Sequence, residues 1–196
     1  MAADAAGDDR ELVARALRDR NAYAPVVTRY EAALRRYVRR VLGANAEAAE
    51  DVVQEAFIKA YVNLNDYDRR RPFAPWLYRI AHNEAVDHLR RAGSRPRAID
   101  GEDGALILAR LSDGIDWDER FAAFEAVKLV RAALGELSPR YRDVLVLRFL
   151  EDKDYDEISD ILELPPGTVA TLIRRGVEKL RIALAAPARE WVRGEA

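Results

Sequence analysis

The chain has 196 residues, of which 49% are hydrophobic and 34% are charged, so it can bury a core but carries much charged surface. Cysteine is absent, which excludes disulfide bonds and any cysteine-based metal site or nucleophile, and which fits a reducing cytoplasm. The formal net charge of −2 argues mildly against a dedicated nucleic-acid binder, although local charge governs binding more than the sum does.

The N-terminal half of the chain is patterned for helices. Residues Met1–Asp9 are small and acidic, unlike a secretion signal or a transit peptide, and no apolar run approaches the roughly 20 residues that span a bilayer. A short helix is predicted near residues 11–20, and three apolar stripes at helical spacing follow it. The stripes comprise Val26, Tyr30, Ala33, Leu34, Tyr37, Val38 and Val41, then Val53, Ala56, Phe57, Ala60, Tyr61 and Leu64, and then Leu77, Ile80, Ala81, Ala85 and Leu89. Because strand-like alternation is nearly missing, residues 21–92 are predicted to form a helical bundle behind an extension of residues 1–20.

The second of these helices carries a polar side. Asp51, Gln54 and Glu55 lie at helical spacing beside the apolar positions. Glu55 and Lys59 form an i,i+4 pair, which contributes roughly 0.2–0.5 kcal/mol on a helix surface. Taken alone, this pattern indicates a solvated face of the bundle.

Arginines and aromatic residues alternate where the third helix is predicted to begin. The group comprises Arg69, Arg70, Arg71, Phe73, Trp76, Tyr78 and Arg79. Arginine neutralises phosphate, and exposed aromatic rings offer stacking surfaces to unpaired bases. Trp76, Arg79 and Asn83 share a helical face that differs from the apolar stripe. They predict a surface that reads single-stranded nucleic acid, although a buried Trp76 among solvated arginines explains the composition equally well.

Between residues 93 and 118 the helical pattern dissolves. Its breakers are Gly93, Ser94, Pro96, Gly101, Gly104 and Gly114, and its acidic residues are Asp100, Glu102, Asp103, Asp113, Asp116 and Asp118. We expect a flexible acidic linker here, with at most a short apolar turn at Leu106–Leu111. A long loop inside one domain is the alternative, but such loops are uncommon in compact domains.

A second helical domain is predicted over residues 119–196. Its first helix carries the apolar stripe Phe124, Val127, Val130, Leu134 and Leu137. Ser138 is the predicted N-cap of the next helix, with Pro139 at the first helical position. Asp154 and Glu157 resemble a capping box at the start of a short helix near residues 155–162.

Pro165 and Pro166 end that short helix and start a longer one. The inward positions of the longer helix are Val169, Leu172, Ile173, Leu180 and Leu184, and its outward polar candidates are Thr168, Thr171, Arg174 and Arg175. A short helix, a tight turn and a longer basic helix have the outline of a helix-turn-helix, in which such polar groups contact phosphates or bases. An ordinary amphipathic helix is the alternative, and the acidic segment over residues 151–163 is unfavourable beside DNA.

No set of residues has a catalytic or metal-binding pattern. His82 and His88 do not have the i,i+4 spacing of a helical metal pair. A glycine-rich phosphate loop and a nucleophile elbow are both absent from the sequence. The sequence therefore predicts no enzyme active site, no metal and no cofactor.

Two blocks of the sequence resemble extracytoplasmic-function sigma factors, which are small alternative sigma subunits of bacterial RNA polymerase. Residues 51–57 (DVVQEAF), 76–83 (WLYRIAHN) and 87–91 (DHLRR) resemble region two of that family. Residues 137–145 (LSPRYRDVL), 155–158 (YDEI) and 167–169 (GTV) resemble its region four. The similarity covers roughly Tyr23–Leu184 apart from the linker, and two blocks in the family's order make it specific.

The resemblance implies a role for each group of residues. Docking on the clamp helices of core RNA polymerase falls to Asp51, Gln54, Glu55 and Phe57. Binding and melting of the minus-ten promoter element falls to Arg69, Arg70, Arg71, Phe73, Trp76, Arg79 and Asn83, on a base-capturing loop and the helix beyond it. Reading of the minus-thirty-five element falls to Thr168, Thr171, Arg174 and Arg175. The linker would run through the active-site and RNA-exit channels of the polymerase.

The chain is thus expected to be all-α, with two small helical domains on a flexible acidic linker. The resemblance implies a cytoplasmic sigma factor that is not an enzyme and does not insert into a membrane. Its implied partners are core RNA polymerase, promoter DNA and an anti-sigma factor. Two rival interpretations remain at this point: a stand-alone helix-turn-helix regulator of duplex DNA, and a helical interaction protein with no DNA role.

Two positions depart from the family's pattern. Glu163 stands where the family usually has the glycine of a left-handed turn, so that turn residue is missing. Ala170 and Leu172 stand where Lys or Arg usually follows the GTV motif. We therefore expect weak or unusual readout of the upstream element, with promoter choice depending on the first domain or on a partner protein.

Overall fold

The computed structural model describes residues 2–93, 101–111 and 122–194. Every regular element in these ranges is helical, so the predicted all-α class is confirmed. The chain divides into two compact units. The first comprises Met1–Arg95 with Asp160–Leu162, and the second comprises Pro96–Ser159 with Glu163–Ala196.

Four α-helices make up the first unit within the described residues. They are α1 (Ala2–Arg18), α2 (Ala24–Leu42), α3 (Ala49–Val62) and α4 (Phe73–Arg91), joined by 3-10 turns over Arg20–Tyr23, Gly43–Ala48 and Leu64–Asp66. The first turn of α2 contains Pro25, whose fixed backbone angle suits that position. Helices α2, α3 and α4 pack on one another, and α1 lies against α2 and α4.

The core of the first unit is built from the three predicted stripes. Leu34 and Tyr37 of α2, Ala56 of α3, and Leu77 and Ala81 of α4 are all fully buried. Burial of each large apolar side chain contributes about 1.5–3 kcal/mol relative to its exposure. The helix α1 adds two further buried residues, Val13 and Ala16. This packing fixes where α3 and α4 present their outer faces.

The second unit contains four whole α-helices and the first five residues of a fifth, α8, in the described residues. They are α5 (Gly101–Leu111), α6 (Ala122–Glu136), α7 (Pro139–Phe149), α8 (Tyr155–Leu162) and α9 (Pro166–Gly194). Helix α6 packs on α5 and α9, and α7 packs on α9. The fully buried residues include Val130, Leu134, Leu145, Ile158 and Val169, which lie on four of the five helices.

Helix α5 lies where the sequence pattern indicates a flexible linker. Ile107 is fully buried, and Gly104 lets α5 approach α6 closely. A Cβ atom at Gly104 would lie 2.9 Å from Cγ of Arg131 and 3.2 Å from the carbonyl oxygen of Val127. Packing against α6 therefore orders residues 101–111 in spite of their glycines and acidic residues, which is a tertiary effect that outweighs local propensity.

The N-termini of α7 and α8 have the N-cap residues that the sequence predicts. Asp154 accepts a hydrogen bond from the Glu157 amide at 2.8 Å, and the Glu157 carboxylate accepts one from the Asp154 amide at 3.0 Å. The predicted capping box is therefore confirmed. Ser138 is the N-cap of α7, as predicted, but its side chain makes no capping hydrogen bond. Its carbonyl instead accepts from the amides of Tyr141 and Arg142 at 3.0 and 3.2 Å.

The turn between α8 and α9 forms without glycine. Glu163 has φ 53° and ψ 43°, which places it in the left-handed region. Its amide donates to the Ser159 carbonyl, and the Ser159 hydroxyl donates to the Leu164 carbonyl at 2.5 Å. Glu163 thus adopts the left-handed conformation that glycine usually provides in the family. The expectation that the left-handed turn residue is missing was wrong.

Candidate nucleic-acid interface

Side-chain hydrogen bonds hold the loop between α3 and α4. Asp68 accepts from the Arg70 amide at 3.0 Å and pairs with the Arg70 guanidinium through Nε at 3.0 Å and Nη2 at 3.1 Å. These bonds to Arg70 lower the pKa of the Asp68 carboxyl, so it stays ionised. The Tyr67 hydroxyl donates to the Arg71 carbonyl and closes the loop on its other side. The loop is therefore preordered by its own residues.

The three loop arginines differ in their surroundings. Arg69, Arg70 and Arg71 are all exposed, as a phosphate-contacting role requires. The guanidinium of Arg70 is paired with Asp68, however, and so holds the loop. Arg69 makes no ion pair within the part of the chain that the structure describes, which leaves its charge available to an external anion.

The aromatic residues at the start of α4 form a cluster. Phe73 is only 3% exposed and Tyr78 only 5%, so the expectation of exposed stacking rings was wrong for these two. Trp76 is half-buried, with its ring centroid 5.4 Å from both Tyr67 and Phe73. Phe73 is buried because the first turn of α4 packs against the core of the first unit. Trp76 lies at the edge of this packed surface.

The outer face of α4 is placed as the spacing predicts. Trp76 and Arg79 are half-exposed, and Asn83 is exposed. They form a continuous strip that combines an aromatic edge, a cation and an amide. Such a strip offers stacking, charge and hydrogen bonding to an unpaired base and its phosphate.

The polar side of α3 separates into two grooves. Asp51 and Glu55 line a groove of about 600 Å³ against α4, whereas Gln54 and Phe57 line one of about 530 Å³ against α2. Phe57 is 7% exposed and forms part of the floor of its groove. The structure therefore does not bring these four predicted docking residues onto a single flat surface.

Sequence reasoning missed features of the same helix. Ile58 is 49% and Val62 60% exposed, although both are large apolar residues. Their position off the buried stripe was the only available signal. Lys59 was assigned an i,i+4 partner at Glu55, but its ion pair is with the buried Glu84 of α4. Helix α3 thus presents an apolar edge next to the groove that contains Gln54.

His82 is a core residue of the first unit. It is 8% exposed, and its Nδ1 lies 2.9 Å from the Tyr37 hydroxyl. Burial lowers the pKa of His82 to about 4, so the ring is neutral near pH 7. Among the described residues, no three metal-ligating side chains cluster, and no helix has the length and hydropathy to cross a membrane.

The recognition-helix candidates lie at the start and on the outer side of α9. Arg174 and Arg175 are exposed, and neither makes an ion pair within the described ranges. Thr168 and Thr171 are half-buried. The Thr171 hydroxyl donates to the Gly167 carbonyl at 2.8 Å, so its proton is engaged within the helix while its oxygen remains an acceptor. The two arginines are therefore the main DNA-contacting candidates among the four residues.

Several acidic residues of the segment before α9 make ion pairs or hydrogen bonds within the chain. Glu157 pairs with Lys153 at 2.9 Å in addition to forming the capping box. Asp152, at φ 52°, pairs with Arg110 of α5 at 2.5 Å, and this pairing lowers the pKa of its carboxyl. Arg110 also donates to the Phe149 carbonyl at 2.7 Å. These acidic residues thus serve the fold of the second unit, which lessens their repulsion of DNA.

Comparison with known families identifies both blocks. The sequence model of Sigma-70 region 2 matches residues 26–95, and that of Sigma-70 region 4 matches residues 128–180. The extracytoplasmic-function RNA polymerase sigma factor SigW of Bacillus subtilis is 36% identical over 169 residues, which cover 83% of this chain and 89% of SigW.

Two solved structures have a similar fold. CnrH, in complex with the cytosolic domain of CnrY, superposes with a TM-score of 0.65 at 28% identity and covers 91% of this chain and 97% of CnrH. The sigma factor RpoE of Bartonella quintana, in complex with the anti-sigma factor NepR, gives a TM-score of 0.58 at 19% identity. It covers 84% of this chain and 97% of RpoE, and this second likeness supports the fold alone.

Proposed function

This chain belongs to the extracytoplasmic-function family of RNA polymerase sigma factors, and we propose how its residues divide the work of an alternative sigma factor. The proposal assigns region two to residues 21–92 and region four to residues 119–196. The observation that carries it is the outer face of α4, where half-buried Trp76 lies beside Arg79 and exposed Asn83, next to a preordered loop. Phosphodiester chemistry belongs to the polymerase, so the proposed role needs no catalytic residue in this chain.

Core RNA polymerase binds the first unit through α3. Asp51 and Glu55 supply charge on one side of the helix, and Gln54 borders the apolar groove on the other. The exposed Ile58 extends this apolar edge beyond Phe57. Exposed apolar patches with a polar rim are typical of protein-binding surfaces, which supports this assignment.

Opening of the minus-ten element falls to the loop and α4. Arg69 and Arg71 contact phosphate, Arg70 holds the loop, and Trp76 stacks on an unpaired base. Phe73 contributes by supporting Trp76 from the core, because its own ring is buried. Arg79 and Asn83 hold the displaced strand along the helix.

The minus-thirty-five element is read by α9. Arg174 and Arg175 reach the phosphates or a guanine of the major groove, and Thr168 and Thr171 contribute weaker contacts near the N-terminus of the helix. Two exposed arginines among the four candidate residues are few for reading DNA. The second unit therefore binds weakly on its own and depends on attachment to polymerase for occupancy.

A partner protein of the anti-sigma class holds the chain inactive in the cytoplasm. The complex of CnrH with the cytosolic domain of CnrY is the observation that suggests a protein partner for this chain. Release of this partner would then free the chain for core RNA polymerase.

Run-off transcription with core RNA polymerase on a genomic fragment library tests the function. The chain should direct initiation at discrete start sites that core enzyme alone does not use. On a promoter mapped in this way, Trp76→Ala should depress open-complex formation on duplex DNA, and a pre-melted bubble template should recover much of the loss. Trp76→Phe is the matched control, because it keeps an aromatic ring for stacking and for contact with Tyr67. Binding to duplex DNA without any response from core polymerase would instead identify a stand-alone regulator.

A further inference from the structure

Asp9 of α1 links the N-terminal helix to α2. Its carboxylate is 13% exposed, and its Oδ1 lies 2.6 Å from Nε of Arg29. Its Oδ2 accepts a hydrogen bond from the Tyr30 hydroxyl at 2.5 Å. One buried carboxylate therefore holds two consecutive side chains of the neighbouring helix.

Tyr30 is a permanent donor in this arrangement. Tyr30 is buried, with 8% of its surface exposed. Burial first, and then the hydrogen bond to Asp9, raise the pKa of the Tyr30 hydroxyl far above its ordinary value. The hydroxyl therefore stays protonated at physiological pH, and the bond to Asp9 fixes the position of the hydroxyl end of the Tyr30 side chain.

Ring contacts link Tyr30 to Trp76 on the outer face of α4, which is proposed to open the promoter. The Tyr30 ring meets Phe73 edge-on, with 5.7 Å between centroids and 62° between planes. Phe73 in turn packs on Tyr67 at 5.2 Å and on Trp76 at 5.4 Å, and Tyr67 packs on Trp76 at 5.4 Å. Close-packed aromatic clusters transmit displacement, because their members have few alternative positions.

We propose that Asp9 is a positioning residue for strand opening, because it anchors Tyr30 and thereby sets the position of Phe73 and Trp76. The proposal rests on the proposed function of the α4 face and adds α1 as part of the opening machinery. Asp9 itself need not touch DNA. Loss of the anchor lets the hydroxyl end of the Tyr30 side chain shift, and Trp76 then populates positions that stack less well on a base.

General stabilisation of the bundle is the competing explanation of the same contacts. Under that explanation, changes at Asp9 lower stability and reduce transcription equally on every template. Under the positioning proposal, they act on the opening step and on the surroundings of Trp76. The two explanations therefore differ in measurements that can be made on the full chain.

The test uses four variants of the full chain, Asp9→Ala, Asp9→Asn, Tyr30→Phe and the double variant Asp9→Ala/Tyr30→Phe. Glu11→Gln is the matched control, because Glu11 is an exposed carboxylate on the same helix. Each variant is combined with core polymerase on the mapped promoter, as duplex and as pre-melted bubble. Each is also made with Trp117→Phe and Trp191→Phe, which leaves Trp76 as the one tryptophan for acrylamide quenching.

Asp9→Ala and Tyr30→Phe should each reduce open-complex formation on the duplex at least about tenfold, the effect of losing a hydrogen bond to a charged group. The loss on the bubble template should stay below about twofold, and the double variant should be no worse than either single variant, because both remove one interaction. Asp9→Asn keeps an acceptor oxygen and should retain more activity. Quenching of Trp76 should rise in Asp9→Ala, in Tyr30→Phe and, to the same extent, in the double variant, but not in Glu11→Gln.

Equal losses on both templates, additive losses in the double variant, or unchanged quenching of Trp76 would each overturn the proposal. If the wild-type chain initiates on neither template, the proposed function fails. The quenching comparison needs no polymerase, so in that case it still decides whether Asp9 positions Trp76. Circular dichroism of all four variants and of Glu11→Gln checks that the compared chains are folded.

Discussion

At the level of single residues, the loop arginines show how identical side chains come to have different roles. The guanidinium of Arg70 forms a two-point pair with Asp68, whereas Arg69 extends without an ion pair inside the described part of the chain. Arg69→Ala should therefore weaken holoenzyme binding to promoter DNA and reduce the slope of affinity against salt by about 1. Lysine keeps the charge but cannot form the two-point pair, so Arg69→Lys should be mild and Arg70→Lys should impair opening. Equal losses of open-complex formation by the two lysine variants would contradict this division.

His82 gives the first unit a pH-dependent stability. Its pKa is about 4 in the folded chain against 6.5 when unfolded, because burial disfavours the charged ring. The unfolded state binds the proton first as pH falls, so this contribution is complete above pH 6.5 and is lost between pH 6.5 and about 4. Between pH 7 and pH 5 the loss should be about 2 kcal/mol. His82→Gln cannot titrate, and urea unfolding at the two pH values should show a correspondingly smaller loss; parallel curves for the two chains would contradict the assignment.

At the level of elements, the turn between α8 and α9 stores strain. A left-handed residue other than glycine costs about 1–2 kcal/mol, and Glu163 carries that cost between the two helices of the DNA-reading motif. Glu163→Gly should relieve it and raise stability by about 0.5–1 kcal/mol after the added freedom of the unfolded chain is subtracted. Glu163→Ala is the matched control, because it removes the same side chain but keeps the strain. Thermal unfolding should rank glycine above both alanine and wild type, and a rise for alanine as well would point to the carboxylate rather than the backbone.

At the level of the whole molecule, the charge of the second unit bears on how this sigma factor engages a promoter. Arg174 and Arg175 are the main exposed cations among the α9 candidates, so a fragment of residues 96–196, which retains α5, should bind promoter DNA weakly. Two phosphate contacts predict a slope of log affinity against log salt of about −2. Within the holoenzyme, attachment raises the effective concentration, and Arg174→Ala or Arg175→Ala should then reduce transcription from the mapped promoter. Fluorescence anisotropy at several salt concentrations measures the slope, and tight, steeply salt-dependent binding by the fragment would contradict this view.

Local pattern was sufficient for most of the helices and for one face of the site. The stripes that contain Leu34, Ala56 and Leu77 predicted buried helices, because apolar spacing and helical period are properties of the chain itself. The same reasoning predicted the capping box at Asp154, whose partners are three residues apart. It also placed Trp76 on the outer face of α4, since the face of a helix follows from residue spacing.

Tertiary contacts decided the burial and pairing of side chains that residue spacing could not predict. Phe73 is buried because Tyr30 of α2 and Tyr67 of the preceding loop pack against it. Lys59 of α3 forms its ion pair with Glu84 of α4. Residues 101–111 are helical because α6 offers Gly104 a close surface, although their composition indicates a linker. The sequence by itself therefore determined helix identity and helix faces, which depend on neighbours within about one turn. It also determined the family, which follows from two motif blocks in a fixed order. Only the folded chain decided which side chains are held, paired or left for partners, because those contacts join residues far apart in sequence.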